Sequence, residues 1–274
     1  MIIDGHAHAS GDFLTLEGIT QVLNATKTDK VVLVPGEMDR YKAMTFPNFA
    51  KIFPKRNVTK FWNLLTKLVV MKITKINKIF GKLNEYVYEL AQNLPNRVIQ
   101  FYLITDSNQD ISQELEKKYN DWNFKGLKIH QCWYKISINS RIFYDAANWA
   151  EKHNMPIFIH LESDKEVKKL IEYKRLHSQL KLIIGHLYGL ELFIKSKITF
   201  ENLFFDISTY QVTSNYRVLK AIEYFGADKI ILGSDTPYGK DNLKKNIERL
   251  KKLPLNHNEK DMILGLNMKK LLNI

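Results

Sequence analysis

The sequence predicts an α/β fold, a (β/α)8 TIM barrel of eight parallel strands with a basic helical insertion after strand 2. Three observations carry that prediction. Short apolar, β-branched runs alternate with amphipathic helical stretches along the chain, the order that wraps helices around a parallel sheet. The runs are near-continuous in apolar residues, as in Ile230-Ile231-Leu232, which means burial on both faces. The 274 residues also match the length of such a barrel, about 250. No Gly-x-Gly-x-x-Gly follows the first run, which argues against an open doubly wound sheet.

In chain order, strand 1 is Ile2 to His6, followed by a helix from Leu14 to Ala25, and strand 2 is Val31 to Pro35. Strand 3, Arg97 to Ile104, leads to a helix from Ile111 to Tyr119, and strand 4, Gly126 to His130, to a helix from Ile142 to His153. Strand 5 is Pro156 to His160. Its helix, Val167 to Leu176, follows Ser163-Asp164-Lys165-Glu166, a capping box in which the Ser hydroxyl accepts from a first-turn amide and Glu166 reaches back. Strand 6 is Lys181 to His186 and strand 7 is Asn202 to Ser208, with a helix from Ser214 to Phe225. Strand 8, Lys229 to Ser234, precedes a helix from Leu243 to Leu253, and Asn256 with Glu259 repeats the capping offset before the final helix.

One connection breaks the rhythm. About sixty residues, 36–96, separate strand 2 from strand 3, far more than a simple loop needs, so the segment must fold locally. Its last helix is predicted from Leu83 to Asn93. We expect one domain over 1–274, with 36–96 as a lid-like insertion at the C-terminal mouth of the barrel. Residues 51–82 carry nine Lys or Arg and no Asp or Glu, against a net charge of +12 for the chain. Such a segment attracts anions, whether an anionic substrate, a nucleic acid or an acidic membrane surface, or it is a solvated helix face.

Composition narrows the classes. With 45% hydrophobic and 26% charged residues the chain is globular rather than disordered or fibrous. A single Cys132 excludes an internal disulfide framework and any multi-cysteine metal site. No uncharged apolar run of membrane-spanning length occurs, and no signal peptide opens the chain, so the cytoplasm is expected.

Reactive side chains of such barrels come from the C-terminal ends of the strands. Reading those ends gives His6 and His8, His130, His160, His186 and Asp235, and five of the eight histidines fall there. Alternation points His6 and His8 to the same side, toward the barrel axis, with Ala7 away, where two imidazoles can hold one divalent ion completed by a third imidazole and a carboxylate. Lys128 and His130 face the interior by the same alternation, and Lys128 is expected to balance charge beneath the site. Trp133 and Tyr134 either stack on a planar substrate or pack. Asp4 is expected to orient a strand 1 histidine or neighbouring backbone.

The stretches Ile3-Asp4-Gly5-His6-Ala7-His8, Phe124 to His130, Pro156 to His160, Ile184-Gly185-His186-Leu187-Tyr188-Gly189 and Leu232-Gly233-Ser234-Asp235-Thr236-Pro237-Tyr238-Gly239 resemble the amidohydrolase superfamily. Within it they resemble the branch of metal-dependent hydrolases that also contains aminocarboxymuconate semialdehyde decarboxylase. The resemblance implies His6, His8 and His160 as metal ligands, Asp235 as a further ligand and general base, and His186 as a group that polarises the substrate or shuttles a proton. It departs after His130, where Gln131-Cys132-Trp133-Tyr134 stands in place of a frequent Pro, which leaves loop shape and substrate open.

The implied cofactor is one divalent metal ion, Zn2+ first, with Mn2+ or another first-row metal as alternatives. Dinuclear relatives place a carboxylated lysine or a glutamate at the end of strand 4; His130 there favours one ion. The expected activity is hydrolysis of a small carbonyl or ester-like substrate by a metal-activated water. The alternative is non-oxidative decarboxylation of an aromatic or unsaturated acid, with Arg40, Arg56 or an insertion lysine holding the carboxylate. A TatD-type nuclease or a nucleic-acid-binding protein is less favoured, and the insertion also suits a homo-oligomer contact.

Overall fold

The computed structural model of the chain describes residues 1–36, 47–72, 83–106, 110–197 and 200–274. Its strands are β1 (Ile3–His8), β2 (Lys30–Val34), β3 (Val98–Gln100), β4 (Tyr102–Leu103), β5 (Leu127–His130), β6 (Pro156–His160), β7 (Lys181–Ile184), β8 (Leu203–Asp206) and β9 (Ile230–Ile231). Neighbours pair parallel in two runs, β1-β2-β3 and β4 through β9. The break falls at Phe101, inside the single predicted strand 3. The Phe101 amide donates to Leu33 O at 2.9 Å and the Tyr102 amide to Gly126 O at 2.8 Å, so the chain passes from one neighbour to the other there. At the far edges, the Gly5 amide donates to Leu232 O at 2.8 Å, and those of Ser234 and Asp235 to His6 O at 3.1 and 2.7 Å. These bonds join the last strand to the first, as a closed ring requires.

Alternation along each strand assigns its faces. Val31 and Leu33, Ile157 and Ile159, and Leu182 and Ile184 belong to the large apolar layer beneath the helices. Val32, Val34, Phe158 and Ile183 belong to a second cluster, with Met268, Leu271 and Leu272 of the C-terminal helix. This inner cluster shares parity with Lys128, His130 and His160, so those side chains project inside the ring. In β1, Ile3 lies in the inner cluster but Ala7, four residues on, in the outer one. A shift of pairing register between Asp4 and Ala7 reverses the parity, and it is this irregularity that turns His6 and His8 inward. The predicted strand 1 stopped at His6; in the structure it extends to His8.

The helices are α1 (Leu16–Thr26), α2 (Phe49–Ile52), α3 (Thr59–Lys72), α4 (Leu83–Asn93), α5 (Ile111–Trp122), α6 (Arg141–Lys152), α7 (Asp164–Leu176), α8 (Leu190–Lys195), α9 (Asn215–Phe225) and α10 (Asn242–Lys252), then α11 (His257–Asp261), a π turn and α12 (Asn267–Leu272). The Asn256 capping box forms with both reciprocal bonds. The one predicted at Ser163 forms only by half. Ser163 accepts from the Glu166 amide, but the Glu166 carboxylate accepts instead from the Ile138 amide at 2.7 Å and Gln131 Nε2 at 2.9 Å. The carboxylate also accepts from Lys169 Nζ at 2.6 Å and Ser137 Oγ at 3.1 Å, so four donors, three of them on the loop after β5, take the place of one helix-end amide. No helix among the described residues is long and apolar enough to cross a membrane.

Helices α2 to α4 belong to the long insertion. The Ala50 amide donates to Gln211 O at 2.7 Å and Ser214 Oγ to Pro54 O at 2.5 Å, which sets residues 50–54 against the chain that follows β8. Arg40, Lys75, Lys78 and Lys82 lie outside the described residues.

Candidate metal centre

Four imidazoles and a carboxylate converge at the C-terminal ends of the strands, and the outer partner of each ring decides which nitrogen faces inward. His8 Nδ1 donates to Pro35 O at 2.8 Å, leaving Nε2 as the unprotonated nitrogen. His186 Nδ1 donates to Ser208 O at 2.8 Å, with the same consequence. The Ser208 hydroxyl donates to Asp206 Oδ2 at 2.5 Å, so its oxygen accepts from His6 Nδ1 at 3.1 Å and His6 Nε2 carries the lone pair, which Lys128 Nζ meets at 2.9 Å. His160 is oriented the other way round. Asn63 Nδ2 donates to Leu161 O at 2.8 Å, which turns its Oδ1 to accept from His160 Nε2 at 2.8 Å and leaves His160 Nδ1 as the lone pair.

The inward atoms lie close together. Asp235 Oδ1 is 3.5 Å from His6 Nε2 and 3.3 Å from His8 Nε2, and Asp235 Oδ2 is 3.9 Å from His186 Nε2. His186 Nε2 and His160 Nδ1 face each other at 3.1 Å. Two donors at about 2.1 Å from a tetrahedral ion stand about 3.4 Å apart, so these spacings are those of ligands around a common cation. Two bare nitrogens at van der Waals contact or closer repel unless positive charge stands between them. The donor set therefore fits a divalent ion, and His6, His8 and Asp235 form a group able to hold one. His160 stands outside that triplet and connects to it through His186.

His6, His186 and Asp206 form a second carboxylate-imidazole group. Its middle is filled by Ser208 Oγ, 3.1 Å from His6 Nδ1, 3.2 Å from His186 Nδ1 and 2.5 Å from Asp206 Oδ2. We therefore read it as the hydrogen-bonded backing of the centre rather than a second ion site.

Burial sets the charge states. Removal from water, then the nearby Lys128, holds His6 well below the usual imidazole range. His160 is lowered in the same sense by desolvation and by His186, and His130 by desolvation and by His160. Neutral imidazoles are the form that ligates. Lys128 is fully buried, with Nζ 2.9 Å from His6 Nε2 and 4.0 Å above the Phe158 ring. Burial lowers it to about 7, opposed by Asp235 and Asp206. Asp4 accepts from the Ser234 amide at 2.8 Å and the His6 amide at 3.3 Å, so it fastens β1 to the last strand through backbone. Its carboxyl is pushed up to about 7 by burial.

His130 stacks between Trp133 (ring centroids 4.0 Å apart) and His160 (4.1 Å). Trp133 also stands 5.3 Å from the His8 ring, beside the centre. Tyr134 is buried in the outer apolar layer. Cys132 is buried and raised to about 12 by desolvation, far from a reactive thiolate. Of the cations proposed to hold a carboxylate, Lys60 pairs with Asp164 and Lys67 with Glu162, both at 2.5 Å, and Arg56 lies over the Phe53 ring.

Asp206, Ser208 and Asn63 were not singled out from the sequence. Asp206 carried a usable signal: a carboxylate ending an apolar strand, in the position that His160 and His130 take on theirs. Asn63 carried none, because its role depends on where an insertion helix docks.

A parallel-stranded barrel protein with a buried His/Asp centre able to hold a metal ion is the class that fold and site define. The chain belongs to the amidohydrolase family, whose sequence model matches residues 3–274. No curated protein matches the sequence. Solved structures match in fold over the full chain. A TIM-barrel protein of Bordetella bronchiseptica shares 13% identity at a TM-score of 0.71, covering 99% of this chain and 98% of that one. A probable 2-pyrone-4,6-dicarboxylic acid hydrolase of Acinetobacter baumannii shares 14% at 0.70, covering 100% and 99%. The 5-carboxyvanillate decarboxylase of Sphingomonas paucimobilis shares 11% at 0.68, again covering 100% and 99%.

Proposed function

We propose that the protein is a cytoplasmic metal-dependent hydrolase acting on a small carbonyl or ester-like substrate. The observation that carries this reading is the inward set of bare imidazole nitrogens, each fixed by its outer hydrogen bond, around the Asp235 carboxylate. A divalent ion held there, Zn2+ first for a nitrogen-rich set and Mn2+ as alternative, supplies charge that polarises a carbonyl and brings the pKa of water to about 7. His6, His8 and His160 serve as its ligands together with Asp235. Asp235 also takes the proton from the attacking water. His186, anchored through Nδ1, presents its Nε2 lone pair 3.9 Å from Asp235 Oδ2; it accepts the proton from Asp235 and, once protonated, polarises the substrate or passes that proton to the leaving group. Trp133 offers a flat wall on which a planar substrate stacks.

Decarboxylation of an aromatic acid is the second reading, motivated by the decarboxylase among the fold neighbours. Zinc-loaded and metal-stripped protein tested on a panel of lactones, esters and aromatic acids separates the two. Metal-dependent hydrolysis is expected. Carbon dioxide release without hydrolysis supports the second reading, and equal turnover by stripped protein rejects both.

A further inference from the structure

We propose that insertion helix α3 is a working part of the metal centre, with Asn63 as a positioning residue that aims His160 Nδ1 at the ion. This rests on the metal-centre reading above and names a component of it. Three residues of α3 spaced i, i+3 and i+7 lie on one helix face and clamp the end of β6. Lys60 Nζ meets Asp164 Oδ2 at 2.5 Å, Lys67 Nζ meets Glu162 Oε2 at 2.5 Å, and Asn63 stands between them against His160 and Leu161. The two ion pairs are partly exposed, between 31% and 51% at each side chain, so each contributes little and is screened by salt. Asn63 is 2% exposed and is the specific contact.

Its amide cannot turn over. A flip would set its oxygen against the Leu161 carbonyl and its NH2 against His160 Nε2–H, losing both hydrogen bonds. The amide orientation therefore fixes the ring: Nε2–H outward to the insertion, Nδ1 inward toward His186 and the ion. Docking of α3 and metal affinity are then coupled, and each favours the other by the same factor.

The test has two arms. In the metal-free wild-type protein, the His160 Nε2 proton is expected as a slowly exchanging imidazole resonance in a 1H–15N spectrum, with a cross-peak to the Asn63 side chain. Its absence overturns the proposal whether or not any variant folds. In the second arm, Zn2+ affinity is measured by competition with a chromophoric chelator for Asn63→Leu and Asn63→Asp. The leucine variant is expected to bind 10–100-fold more weakly, and the aspartate variant, which keeps an acceptor for Nε2–H, to recover most of that loss. A folded Asn63→Leu that binds Zn2+ as tightly as wild type overturns the assignment. Failure of the wild-type protein itself to bind Zn2+ rejects the metal centre, and the imidazole resonance then still reports whether Asn63 holds the ring.

Discussion

Lys128→Met isolates the dryness of the centre. Lys128 is fully buried and lowered to about 7, whereas in the unfolded chain it titrates near 10.4. Between those values the unfolded state binds more protons than the native state, so stability rises with pH. A gap of about 3 units gives a gain of about 2 kcal/mol between pH 7 and pH 9. Methionine has no proton to release, so the variant lacks this gain. Other groups do not imitate the effect. His6, His130 and His160, held well below the usual imidazole range by burial, act in the same direction but mainly at lower pH, and they are present in both proteins. Asp4, raised to about 7, and Cys132, raised to about 12, are present in both proteins and cancel in the comparison. The assay is urea denaturation of chelator-treated protein at pH 7 and pH 9. The wild type is expected to gain about 2 kcal/mol relative to the variant. Equal pH dependence of the two proteins would refute the reasoning, because Lys128 would then be charged in the native state.

Ser208→Ala removes the acceptor of His6 Nδ1 and the hydroxyl that donates to Asp206. Zn2+ affinity is expected to fall 10–100-fold in a competition titration, and an unchanged value argues that His6 is oriented by something else. Gly233→Ala places a Cβ 2.1 Å from Asp206 Oδ1 and 3.1 Å from His6 Cβ. Destabilisation by about 1–3 kcal/mol in urea melts is expected, with weaker Zn2+ binding; a neutral result means that Asp206 has room to move.

The barrel was legible because its signal is local and repeated. Runs such as Val31-Val32-Leu33-Val34 and Ile157-Phe158-Ile159 mark buried strands without reference to any partner. His6, His8, His160, His186 and Asp235 stood out because histidine at successive strand ends has few structural uses. Alternation gave the shared side for His6 and His8, toward the barrel axis with Ala7 away, but the register shift after Asp4 that lets Ile3 share that inner side was not readable. Asp206 and Ser208 passed as the tail of an apolar strand, since their partners are His6 and His186, the former about two hundred residues away. Glu166 was misassigned for a related reason. Local sequence offered it the Ser163 cap, and tertiary structure offered more donors, on Gln131, Ser137, Ile138 and Lys169. Asn63 sits in a segment read for its charge, where a neutral side chain drew no attention.

Anomalous diffraction at the zinc edge, on crystals grown with Zn2+, tests the central claim most directly. One peak per chain is predicted, at about 2.0–2.2 Å from His6 Nε2, His8 Nε2 and the Asp235 carboxylate, with His160 Nδ1 drawn to the same ion. A fully occupied peak elsewhere, or none at these atoms in Zn2+-saturated crystals, would contradict it.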